Sequence, residues 1–147
     1  MRRFLLIIPL LAMIASCSSG VSSGYFVAID GKWNGFLFSN PNLEDPTRYS
    51  GIVIMDVTQN ETTNSLSGIV SISDPETLCW VGGVIDPTAS SVTGNKVTIV
   101  IADNGGATLI IEGDATTSTI SALYTNSGSG GENCTDHSGK FTATRAG

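Results

Sequence analysis

Histidine occurs once in this sequence, and basic residues are scarce: seven Lys and Arg stand against thirteen Asp and Glu. A lone imidazole leaves no second histidine for a zinc site, and the three cysteines contain no CxxC spacing. The formal charge of −6 comes without the clustered Lys and Arg that a phosphate binder needs, so nucleic acid is not an expected partner. No Gly-rich phosphate loop precedes a helix, and no dinucleotide fingerprint occurs. Past residue 24 no stretch has the apolar spacing of three and four that a helix requires. What remains is a chain rich in Val, Ile, Thr, Ser and Gly, which is the composition of β-strands and tight turns.

The single long apolar run is at the start. Arg2 and Arg3 precede Phe4 to Ala15, which is apolar throughout except for Pro9, and Ser16 is the small residue that a signal peptidase accepts. About a dozen apolar residues fall short of the roughly 17 to 25 that cross a bilayer core. Residues 1–16 are therefore expected to be a signal peptide that is removed. Cys17 follows at once, and Ile14-Ala15-Ser16-Cys17 resembles the lipobox of bacterial lipoproteins. That resemblance implies cleavage before Cys17, diacylation of its thiol and acylation of the new amine by palmitate-type chains. Two or more acyl chains anchor a protein stably where one does not. Ser18 stands where an aspartate would signal retention at the inner membrane, so the resemblance points to the outer membrane, on its periplasmic face or the cell surface. Residues 17–24 then form the lipidated cysteine and a Ser/Gly tether with a mean reach of roughly 15 Å. Loss of Arg2 and Arg3 with the leader takes the formal charge from −6 to −8. An acidic surface is repelled by anionic headgroups, so the acyl chains do the holding.

With Cys17 assigned to lipid, Cys79 and Cys134 are an even pair in an oxidising compartment, and a disulfide between them is expected. Closing a loop of about 56 residues would stabilise the fold by roughly 4 kcal/mol on the entropic account.

Residues 25–147 form a single domain, which is expected to be all-β, an antiparallel up-and-down meander of about eight strands closing into a small barrel. The strands span Asp30 to Phe38, Gly51 to Gln59, Ser65 to Ser73, Cys79 to Asp86 with Ser90 to Thr93 as its continuation, Lys96 to Ala102, Ala107 to Gly113, Thr119 to Thr125 and Lys140 to Arg145. Leu66, Val70 and Ile72 alternate with serines, Val97, Ile99 and Ile101 repeat the rule, and Phe141 and Ala143 alternate with Thr142 and Thr144. Ile52 to Met55 and Leu109 to Ile111 are apolar at consecutive positions, which predicts an outer surface that is covered or is a contact patch. Gly94-Asn95 fits a two-residue hairpin. An apolar residue, a spacer and a glycine recur at Leu66-Ser-Gly68, Val81-Gly-Gly83 and Ile111-Glu-Gly113. Their irregular intervals fit bends in curling strands rather than a solenoid.

Gly31-Lys32-Trp33 resembles the opening signature of the calycins, the lipocalins and avidins among them. The resemblance implies a barrel in which Trp33 starts the first strand and a late basic residue, here Arg145, packs across the indole at the closed end. Gly31, Trp33 and Arg145 carry over as structural positions only.

No residues assemble catalytic chemistry in the sequence. His137 lies between Asp136 and Ser138, but adjacent residues on an extended chain point apart and form no triad. Glu44-Asp45 and the pair Asp74 and Glu76 sit beside prolines in polar loop sequence. Asp103-Asn-Gly-Gly has too few carboxylates for a calcium loop. The chain is accordingly expected to be neither an enzyme nor a cofactor or metal protein. Two functions stay open: a filled barrel serving as an interaction or structural module with a protein partner, and a hollow one holding a small apolar or amphipathic ligand.

Overall fold

The computed structural model describes residues 26–39, 49–73, 81–104, 107–127 and 138–147. Among them run nine strand segments: β1 (Gly31–Ser39), β2 (Tyr49–Gln59), β3 (Leu66–Ser73), β4 (Gly82–Ile85), β5 (Ser91–Thr93), β6 (Lys96–Asp103), β7 (Thr108–Ala115), β8 (Thr119–Ser127) and β9 (Ser138–Arg145). Every pairing is antiparallel and joins sequence neighbours, apart from β1 with β9 and β4 with β6, which close the sheet on itself.

The barrel has eight staves, because β4 and β5 lie end to end along β6. Ile85 faces Ile101 and Ser91 faces Thr98. Between them Asp86–Ser90 bulges outward, and the Ser90 hydroxyl fills the gap in the ladder. Its Oγ accepts from Val100 N at 2.9 Å and donates to Val100 O at 3.4 Å. Ser90 is buried, so this substitution of a side chain for a backbone partner keeps the Val100 peptide satisfied.

The alternation read from the sequence fixes what points inward. Trp33, Leu37, Met55, Leu66, Ile99, Ile101, Leu109, Ile111, Tyr124 and Phe141 are all essentially inaccessible to solvent. Such positions each contribute about 1.5–3 kcal/mol by leaving water, before the entropy cost of ordering the chain. The small inward residues make room for the large ones. A Cβ on Gly35 would stand 2.9 Å from Phe141 Cε2, so the Phe141 ring occupies the space that Gly35 leaves. Gly68 is a bend of the kind expected: its φ is 146°, and a Cβ there would meet Asp56 O at 2.0 Å on the neighbouring strand.

One end of the barrel is sealed by residues 26–30, which precede β1. Val27 and Ile29 are buried, and Val27 N donates to Gly94 O of the β5–β6 hairpin at 3.0 Å. Ile29 N donates to the Gln59 side chain at 2.8 Å. The same end collects the turns after β2, β5 and β7 and the C-terminal Arg145 and Ala146.

Candidate functional site

The predicted positions fall into two groups. Cys17, Cys79, Cys134, His137, Glu44, Asp45, Asp74 and Glu76 lie outside the described residues. Gly31, Trp33 and Arg145 are described and meet at the sealed end.

Trp33 and Arg145 are register partners on β1 and β9. The guanidinium carbon stands 4.8 Å from the Trp33 ring centroid, within cation–π range. The indole is fully buried and its Nε1 donates to Ile29 O at 2.8 Å. Arg145 then ties three chain segments together: Nε donates to Thr117 O at 2.5 Å, Nη2 to Ala28 O at 2.8 Å, and Nη1 to Asp30 O. Gly31 is required by this cluster twice over. Its φ of 114° is one that L side chains avoid, and a Cβ would lie 2.9 Å from Arg145 Nη1. The cluster is a lock on the end of the barrel: each guanidinium nitrogen of Arg145 and the Trp33 indole nitrogen donates to a backbone carbonyl.

Among the described residues, Tyr124 and Asn126 on β8 carry polar side-chain atoms on the inward face toward the opposite end, and both are buried. Around them the interior is occupied by apolar side chains. Two shallow grooves of about 380 and 390 Å³ are open to solvent on the outside. The first, at the sealed end, runs between Phe26, Asp30, Gln59 and Glu61. The second crosses β7 to β9 beside Leu123 and Lys140.

The strongest surface feature is on the outside of β1 to β4. Phe36 faces Ile52 across the β1–β2 pair, and Ile69 faces Val84 across the β3–β4 pair. Ile54 lies diagonally between the two pairs, opposite Ser71. All five are exposed, Ile69 by 64% and Val84 by 57%. Sequence reading reached Ile52 and Ile54 through their consecutive apolar run but not Ile69 or Val84, whose neighbourhood only the strand register reveals. The matching expectation at Leu109 to Ile111 holds less well, since Ile110 is half-buried.

Among the described residues no three His, Cys, Asp or Glu side chains gather as metal ligands, and no helix is long and apolar enough to cross a membrane. Asn60, the first residue of a glycosylation-like triplet, uses its Oδ1 to accept from Thr62 N and Thr63 N at 2.9 and 3.0 Å, which makes it a turn residue. Comparisons with protein-family models, with curated proteins and with solved structures find no match to this chain.

Proposed function

We propose that this chain is a lipid-anchored bacterial envelope protein whose barrel is a non-catalytic interaction or structural module. The observation that carries this reading is the apolar exterior, set against an inward face of large side chains. Trp33, Phe141 and Tyr124 point inward and are buried, while five large apolar side chains face out on adjacent strands. A carrier of small ligands needs the opposite arrangement, with its apolar surface lining an internal space. The leader, the tether and Cys17 support delivery to the outer membrane and attachment there by acyl chains.

Two measurements test the proposal. Cys17→Ser in the full chain should move the protein from the membrane to the soluble fraction, and continued retention would remove the anchor. Native mass spectrometry of the protein released from bacterial membranes by detergent should show acylated polypeptide with no bound small molecule, each chain lighter by two hydrogens for a Cys79–Cys134 disulfide. A retained small molecule that is lost on denaturation would replace the interaction reading with that of a carrier.

A further inference from the structure

From the outer face of β1 to β4 we infer that this chain self-associates, two copies packing these faces together in an isologous dimer. The inference rests on the interaction-module reading and names its partner as a second copy of this chain.

Area is the first argument. Phe36, Ile52, Ile54, Ile69 and Val84 are 42%, 42%, 54%, 64% and 57% exposed. At these exposures they present roughly 400–500 Å² of clustered apolar surface, a patch of the size that on a monomer often serves a function. A standard interface buries about 800 Å² per side, and homodimer interfaces are about 65% apolar, which calls for about 500 Å² of apolar area from each copy. The band supplies nearly all of it, and Asn34, Ser71 and Ser73 on the same face are the small polar side chains interspersed with it.

Charge is the second. The chain carries thirteen acidic residues against seven basic ones, so two copies repel over most of their surfaces. On the outer face of β1 to β4 the charged side chains among the described residues are Lys32 and Asp56, and these oppose each other in register at the edge of the band. This is where two acidic copies approach without like-charge repulsion. A basic partner would gain little here, because the one described acidic side chain of this face, Asp56, stands opposite Lys32. An anionic lipid surface would gain nothing from a face without excess positive charge.

Geometry is compatible as well. Stacked sheets pack about 10 Å apart with side chains interdigitating, and a two-fold axis near Ile54 and Ser71 sets large side chains of one copy against small ones of the other. The sealed end, with residues 26–30, stays outside the contact.

The test is the stoichiometry of the full-length, detergent-released protein by native mass spectrometry at concentrations from about 1 to 100 μM, spanning the dissociation constants of modest interfaces. Two chains per complex are expected. Each substitution enters an isologous interface twice, so Ile54→Asp should weaken the dimer at least about a hundredfold, about tenfold per copy. Ile69→Ser guards against misfolding, because it extends the row of outward serines on the same strand, and it too should shift the complex toward monomer. Leu123→Asp, on the opposite side of the barrel, should leave the dimer intact. A single chain throughout the range would overturn the dimer, as would a dimer that survives Ile54→Asp and Ile69→Ser in folded protein. A retained small molecule would instead overturn the functional reading, so the two failures are distinguishable in one spectrum.

Discussion

The two faces of the first four strands both carry large apolar side chains, yet these play opposite parts. Along β2, Val53, Met55 and Val57 point inward and are buried, while the alternate residues Ile52 and Ile54 point outward and are about half exposed. Along β8 and β9 the outward positions are Thr119, Ser121, Thr142 and Thr144, with Leu123 and Lys140 among them. The same barrel therefore tolerates a polar exterior on one side, and its core gives no reason for an apolar one on the other. Isoleucine outside β2 adds β-propensity through its branched side chain, but threonine supplies that equally well outside β9. The difference teaches that alternation fixes burial, whereas the polarity of the outer face is an independent property.

Neighbouring substitutions on one strand probe that difference most strongly. Met55→Ala truncates a fully buried side chain and should destabilise the fold by about 2–5 kcal/mol. Ile54→Ala, one residue away, should change the stability of dilute protein by less than about 0.5 kcal/mol. Chemical denaturation of both variants at low protein concentration makes the comparison, since association would otherwise add its own stabilisation. Equal losses would break the distinction between the two faces, because Ile54 would then belong to the folding core of the single chain.

Arg145 stands on the boundary between inside and outside, and its effect should be intermediate. Arg145→Ala deletes the cation–π contact with Trp33 and the donors to Ala28, Asp30 and Thr117, and should cost about 2–3 kcal/mol in denaturation midpoint experiments. Lysine keeps the charge but lacks the planar fork, so Arg145→Lys should recover less than half of that loss. A variant with lysine as stable as the parent would show that charge alone, not the three-way tie, holds the sealed end.

Much of the barrel was legible because inward and outward residues differ in kind. Leu66, Val70 and Ile72 among serines, and Phe141 and Ala143 among threonines, announce both the strands and the buried side. The continuation of the fourth stave through Ser91–Thr93 was readable from its turn residues, and the Gly94-Asn95 hairpin has φ of 61° at Gly94. The segment before β1 was harder. Val27 and Ile29 alternate with Ala28 and Asp30, a strand-like pattern, yet they plug an end rather than join the sheet. The outer band was legible only at Ile52 and Ile54. Ile69 has serines two residues away on either side, Ser67 and Ser71, on its own face of β3, and its apolar surroundings come from β2 and β4, which pairing register alone brings to it. Contacts that cross strands leave no local pattern.

The outward bulge between β4 and β5 provides the smallest and most local effect. Asp86 caps this turn: its Oδ1 accepts from Thr88 N at 2.8 Å and from Thr88 Oγ1 at 2.7 Å. Hydrogen bonding by the Thr88 hydroxyl, and then by the Thr88 amide, holds the Asp86 carboxyl below its ordinary range. A carboxylate with a depressed pKa in the folded protein adds stability that is present above its ordinary pKa and disappears as the pH falls through the folded value. Thr88→Ala removes the first of these bonds and keeps the second, so the Asp86 titration, followed by NMR of its side-chain carboxyl, should move upward without returning fully to the ordinary range. The carboxylate is exposed, so melting at neutral pH should hardly change. An unmoved titration would mean that the amide alone sets the proton affinity. A large loss of stability would mean that this outer bulge is coupled through Ser90 to the buried ladder, and that inside and outside are less separable here than on β2.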